Sequence, residues 1–406
     1  MFTPLRHNHA VQVIALGLGQ LVAWASSIYL PAVTARPMAR DLDVAETTVF
    51  AAMSFAIALG ALVAPAVGRA IDRRGGRRVL CASNIVLATG LGLLALCDSA
   101  TTLFLAWGVI GIGMALGLYD SAFSALVRQH GAQARGAIIG VTLLGGFASS
   151  VGWPLTDYWV GEHGWRVACL LWAGLHLVLA LPLNALFLPA LAMPQGAAAQ
   201  PRPDRPVPPA KVPELARGSA RRTLLLVALF GAATSFVMSA MAAHLPALLL
   251  AAGVGAAAAI AASSLMGVAQ VAARLVEVAV GRYRPQHPLR MARFATMLHP
   301  LAGAGLLALG ISPLLAAVFA FLHGAGNGMI TIAKGALPLA LFGPHGYGAR
   351  QGWLAVSQRL SQALAPFVFG AVLERWGASA AIGLSTTVSL LALGVLMTIH
   401  AEGKAA

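Results

Sequence analysis

Long apolar runs separated by short polar punctuation recur along almost the whole chain. Each is close to the roughly 20 residues that a helix needs to cross the hydrocarbon core of a bilayer. The runs predict six helices before residue 189, at 11–34, 47–68, 79–97, 102–127, 137–160 and 166–188. Six more follow at 222–251, 257–281, 290–310, 313–335, 352–374 and 379–400. Residues 189–221 interrupt the pattern with Pro, Ala and Arg and form no apolar face, so they read as an extended linker. The expected organisation is an N-terminal six-helix bundle (1–188), a linker (189–221) and a C-terminal six-helix bundle (222–406). The fold class is an all-α membrane protein of twelve transmembrane helices.

Composition rules out the main soluble alternative. Only 10% of the 406 residues are charged and 59% are hydrophobic, against roughly 25% charged in soluble domains. The mean hydropathy is +0.80. A water-soluble surface cannot be built from so few charges, and no segment is left for a soluble catalytic domain. The net charge of +14 raises nucleic acid as a partner, but the arginines are scattered between apolar runs and gather on no amphipathic face. Cys81, Cys97 and Cys169 are far apart and without metal-ligand spacing.

The basic residues set a topology instead. With both termini cytoplasmic, one side holds Arg6, the Arg69–Arg78 group, Arg128, Arg135, the basic residues of the linker, Arg290, Arg293 and Arg350, while the other keeps Arg36, Arg40, Arg166 and Arg375. The asymmetry is about fivefold, which matches the positive-inside rule. The two halves also repeat. Tyr29-Leu30-Pro31-Ala32 answers to His244-Leu245-Pro246-Ala247, Ala66-Val67-Gly68-Arg69 to Ala279-Val280-Gly281-Arg282, and Gly111/Gly113 to Gly324/Gly326. These matches share an offset of 213–215 residues. Two related halves place a solute site near the midplane between them.

Between the second and third spans stands Gly68-Arg69-Ala70-Ile71-Asp72-Arg73-Arg74-Gly75-Gly76-Arg77-Arg78. This segment resembles the loop 2–3 signature of the major facilitator superfamily of secondary transporters, as does Gly164-Trp165-Arg166 at the sixth span. The echo at Gly281-Arg282-Tyr283-Arg284 lacks the Asp. The resemblance covers essentially the whole chain. It implies a cytoplasmic gate made of Gly68, Asp72, Arg73, Gly75, Arg77 and Asp120. Asp72 would cap the start of the eleventh span near Gly352–Trp353, where unpaired N–H groups favour an anion, and Arg77 would reach Asp120. Trp107 stands where proton-driven exporters of the family carry an Arg, and this weakens that branch.

Charges within the spans give the candidate solute site, because a charge at a helix centre costs roughly 2.5–3.5 kcal/mol unless it faces a cavity or a partner. Five residues qualify: Asp120, Arg274, Glu277, Lys334 and Arg359. Arg274 and Glu277 are i, i+3 and share a helix face. Arg274 and Arg359 suit a carboxylate, since guanidinium presents a planar fork of donors. Their placement is similar to the oxalate–formate exchanger and monocarboxylate branch. Lys334, Asn327, Tyr29 and His244 complete the candidate binding set. Glu277 and His244 are the two candidate proton carriers.

The expected function is a carrier for a small organic anion such as a monocarboxylate, coupled to protons or to a counter-substrate. The alternative is an exporter of drugs, toxic compounds or oxyanions. No phosphate-loop, zincin or serine-hydrolase motif supports an enzyme, and no cofactor is implied. The expected setting is a bacterial inner membrane, with a monomer working among lipids and without nucleic acid.

Overall fold

The computed structural model describes residues 8–189, 217–283, 286–310 and 312–399. Most of the linker expected at 189–221 therefore lies outside the described residues. Those described are almost entirely helical: α1 His9–Ala25, α2 Pro31–Asp41, α3 Glu46–Arg74, α4 Gly76–Ala95, α5 Ala100–Gly117, α6 Tyr119–His130, α7 Arg135–Gly145, α8 Ala148–His163, α9 Trp165–Leu175 and α10 Leu181–Phe187. After the linker come α11 Arg217–Ala251, α12 Ala256–Tyr283, α13 Pro288–Leu309, α14 Pro313–Phe342 and α15 Tyr347–Thr398. Among the described residues, nine helical stretches are long and apolar enough to cross a membrane. Two of these, Ala100–His163 and Tyr347–Thr398, run to 64 and 52 residues, more than one crossing requires.

Several expected spans are broken. The first stops at Ala25, turns through 26–30 and resumes at Pro31, whose missing N–H suits a helix start. The fourth breaks at Leu118, where ψ swings to −174°. The fifth breaks after Gly145. The sixth carries a π-turn over His176–Ala180, just before Pro182. In α15 the backbone leaves the helical region only at Gly377, with φ 77° and ψ −177°, which is the expected border between the eleventh and twelfth spans.

Large apolar side chains face outward as a lipid-spanning protein requires: Val178 is 79% exposed, and Leu62 and Leu314 are each 73% exposed. Inside, one cluster around Leu91, Trp107 and Trp172 fills the N-terminal half. Two others, around Phe319 and Phe369 and around Phe230 and Leu337, fill the C-terminal half. A further cluster joins Leu16, Phe123 and Ile138 to Leu339 and Tyr347 across the halves.

Glycines set the crossings, and they do so equivalently in the two halves. A Cβ on Gly111 would strike the Ala56 backbone, and one on Gly324 the Met266 backbone. Small residues at such points let helices approach closely in a membrane. At the far end from the linker, Asp41 accepts from the Trp165 indole (2.8 Å) and pairs with Arg166. These hydrogen bonds hold the Asp41 carboxyl below the usual carboxylate range.

Candidate functional site

The halves meet tightly on the side of the linker. Asp72 lies in the last turn of α3, which Gly75 ends with φ 81°. Its carboxylate accepts from the Gly348 N–H (2.9 Å) and the Ala349 N–H (2.7 Å) at the start of α15. The contact falls four residues earlier than the sequence placed it, because the helix begins at Tyr347. Gly352 is used for packing: a Cβ there would come within 2.5 Å of the Ala64 carbonyl. Gly68 is needed for the same reason, since a Cβ on it would overlap the Gly348 carbonyl.

Asp120 has a different partner from the one expected. It sits in the first turn of α6, about 15 Å of helix in from His130, while Arg77 is at the very start of α4. Arg77 is too shallow, and it lines a small surface cleft with Arg128 and Gln129. Asp120 instead pairs with Arg359 (3.3 Å) and accepts from the Gln351 amide (3.3 Å). Arg128 donates to the Asp72 backbone carbonyl (3.1 Å), and Arg73 is exposed.

Arg274 and Glu277 share a face without pairing directly. Glu277 meets Arg135, at the start of α7 in the other half, at 3.6 Å, and Arg135 donates to the Gln286 carbonyl (2.5 Å). Arg274 is 3% exposed and donates to backbone carbonyls from both halves, Thr142 (3.0 Å) and Gly328 (3.4 Å). The Thr142 carbonyl belongs to the last turn of α7, the negative end of a helix. Gly146 leaves the room for the guanidinium, which a Cβ would occupy. Among the described residues, no hydrogen bond reaches Arg274 Nη2.

Aromatic groups gather beside it. Trp24 lies 4.9 Å from Tyr119 and 6.2 Å from Tyr29, which meets Trp153 edge-on at 5.6 Å. Both tyrosines are within electrostatic range of Arg274. The Trp24 indole N–H is buried and without a partner. Tyr29 itself lies in the turn between α1 and α2, and its carbonyl accepts from Trp153 (3.2 Å).

The other candidates are spread through the C-terminal half. Lys334 donates to the Ser235 hydroxyl (2.7 Å). Asn327 is buried, and its Oδ1 has no partner. His244 is engaged with the Pro366 carbonyl (2.9 Å) and stacks on Phe369. It is the last rung of a ladder between α11 and α15, after Ser357 to the Ala228 carbonyl (3.3 Å), Ser361 to the Ala232 carbonyl (2.8 Å) and Ser239 to the Gln362 carbonyl (2.9 Å). Pro366 has no N–H to offer the Gln362 carbonyl four residues back, so Ser239 replaces the missing helical donor.

The structure therefore connects Tyr29 to the surroundings of Arg274 only through Trp24 and Tyr119, joins Arg359 to Asp120, and leaves Lys334, Asn327 and His244 elsewhere. Sequence reasoning named Trp24 only as one of several tryptophans that could line the path, and it missed Thr142, Gly146, Tyr119, Gln351 and Arg135. Only the Gly145-Gly146 pair offered a signal, as a place of close approach.

The sequence matches the family model of the Major Facilitator Superfamily over residues 16–304, well over half of the chain. The chain belongs to that superfamily and is a transporter of it. Among solved structures, the human organic anion transporter MFSD10 (TETRAN) shares the fold with a TM-score of 0.68. The two are 17% identical over 96% of this chain and 99% of that one. No curated protein sequence matches this chain.

Proposed function

We propose that this protein is a secondary carrier of small organic anions, monocarboxylates included, that works by alternating access of its two halves. The observation that carries the proposal is Arg274. It is a buried cation between the halves that donates only to carbonyls, keeps Nη2 free and sits against an aromatic wall with an unpartnered indole N–H. Glu277 is within electrostatic range of Arg274 but pairs with Arg135; a buried cation with no carboxylate in direct contact costs several kcal/mol, and an anionic solute supplies that contact. Arg359 is the weaker candidate, since Asp120 already neutralises it.

The reading includes twelve crossings, with reversals at Gly131–Ala134 and at Gly377 and with α1 counted as a crossing. Basic asymmetry supports cytoplasmic termini in a bacterial inner membrane. The bonds of Asp72, Asp120, Arg274 and Arg135 all lie toward the linker side, so this conformation is closed there and the rocking motion must break them. The organic anion transporter that shares the fold handles the same class of solute, which agrees with the proposal. Coupling is to protons or to a counter-substrate. Of the acid–base groups chosen from sequence, Glu277 faces Arg135 and His244 is spent on Pro366.

The test is a thermal-shift titration of purified protein with benzoate, acetate, oxalate and tetraphenylphosphonium. Stabilisation by carboxylates that is lost in Arg274→Gln is expected. Stabilisation by tetraphenylphosphonium alone would replace this reading with a lipophilic-drug exporter, and carboxylate binding unchanged in Arg274→Gln would remove the site.

A further inference from the structure

A second group of titratable side chains lies away from the anion site, in the core of the C-terminal half. His299 of α13 and His323 of α14 are 2% and 0% exposed. Their rings stack in parallel, 4.1 Å between centroids and 7° between planes. The contact is made possible by Gly326, where a Cβ would come within 2.7 Å of the His299 ring. His299 Nε2 donates to the His323 carbonyl (3.2 Å), which leaves Nδ1 as a bare acceptor. That atom and both ring nitrogens of His323 are buried with no partner. Each such group costs about 1–3 kcal/mol relative to a satisfied one.

Packing alone does not call for these histidines, and the repeat provides the control. At an offset of 213 residues, Gly326 answers to Gly113 and His323 to Ile110. In the N-terminal half Gly113 packs against Leu87, and Ile110 is fully buried. The same crossing is thus closed by two aliphatic residues in one half and by two imidazoles in the other.

The pair also has an outlet. His323, Asn327 and Lys334 follow one another at i, i+4 and i+11 and so share a stripe of α14 that runs toward the linker side. Asn327 Oδ1 on that stripe is free to accept a hydrogen bond. Lys334 is within electrostatic range both of His299 and of Asp120, the residue that bridges the halves to Arg359.

We infer that His299 and His323 together form a single-proton binding site whose occupancy is linked to opening of the linker side. Two imidazolium ions 4.1 Å apart would repel strongly in a low-dielectric core, so the stack holds at most one proton. A proton there acts on Lys334, and through it on the charge balance at the Asp120–Arg359 bridge. The other ionisable groups on the elements packed against the pair have different partners. Arg274 and Glu277 of α12 turn to the α7 carbonyl and to Arg135. On α13 itself, Arg293 holds the Leu396 and Ile399 carbonyls and Arg290 is exposed. On α15, Arg359 is held by Asp120, and Ser385 and Ser389 contribute polar but uncharged groups. The inference rests on the alternating-access reading above and not on the choice of anion.

The experiment uses spin labels at Gln133→Cys and His345→Cys, exposed positions on linker-side loops of opposite halves. The full-length protein, with its three natural cysteines replaced, is placed in lipid nanodiscs. Desolvation opposes charge on a buried imidazole, so the pair takes its proton as the linker side opens to water; lowering the pH from 8 to 5, the range in which a hydrated histidine gains its charge, is expected to add a longer component to the distance distribution. The His299→Gln and His323→Gln variants, made singly so that a folding defect in one leaves the other informative, should lose that component, while His163→Gln, at an exposed histidine ending α8, keeps it. A distribution that does not respond to pH, a response that survives both histidine variants, or one abolished by His163→Gln would overturn the assignment. Loss of the benzoate effect in the thermal-shift test would remove the anion reading and leave this result intact.

Discussion

Asp72→Asn is the sharpest perturbation of the closed linker side. In the wild type a carboxylate receives two backbone N–H groups at a helix start, at 2.9 and 2.7 Å. The amide keeps one acceptor oxygen, turns an NH2 toward the other donor and removes the charge that favours this helix end. Hydrogen bonds to charged groups contribute about 1.5–3 kcal/mol when buried, and Asp72 is half-buried, so a loss of about 1.5–2 kcal/mol is expected. That raises the population open on the linker side by roughly 10- to 30-fold. The reporter is Ile138→Cys in a background without Cys81, Cys97 and Cys169. Ile138 is fully buried in α7 and faces Gly335 of the opposite half. With fast opening and slow chemistry, the alkylation rate by a water-soluble maleimide follows the open fraction. An alkylation rate in Asp72→Asn equal to the parent's would refute the reasoning.

Gly68→Ala places a Cβ on the Gly348 carbonyl and should also raise the Ile138→Cys alkylation rate; Gly92→Ala, where nothing lies within 4 Å, should not. Equal rates for the two would show that the close approach is not needed for closure. His176→Leu removes the ring that links Ser26 Oγ (2.8 Å) to Asn84 Oδ1 (2.9 Å) across the kink of the first span. It strands the buried Asn84 Oδ1 and leaves Ser26 Oγ only its 3.4 Å bond to the Ala23 carbonyl, so the melting temperature in detergent should fall by an amount that corresponds to about 1–3 kcal/mol; an unchanged melting temperature would show that the network does not hold the kink.

The fold was legible because lipid imposes a simple code. Apolar length marks a crossing, and a shared offset of glycines marks a repeat. The reversal at Gly377 and the glycine crossings at Gly111 and Gly324 follow from that code. The breaks at Leu118 and after Gly145 do not; they lie where the Tyr119 hydroxyl and the Arg274 guanidinium meet Gly145 and Gly146. The candidate site was legible only as a set of residue types. Arg274 and Arg359 look alike as intramembrane cations, and only depth along neighbouring helices shows that Asp120 neutralises one of them. The i, i+3 spacing of Arg274 and Glu277 was a poor guide to partners, because Arg135 reaches Glu277 from the other half. The stack of His299 on His323 joins residues 24 positions apart, a pairing that no periodicity announces.

The ladder between α11 and α15 has a mechanical consequence. Its four rungs, from Ala228 to His244, run along about 24 Å of helix, and one of them mends the gap that Pro366 leaves. Two helices bonded at such intervals resist bending as a laminated beam does, where either ply alone would yield at its proline. A tilt imposed at the Asp72 end therefore arrives at the His244 end as a tilt and is not absorbed on the way. Parting the linker-side loops and narrowing the opposite mouth are then one displacement of a stiff strut.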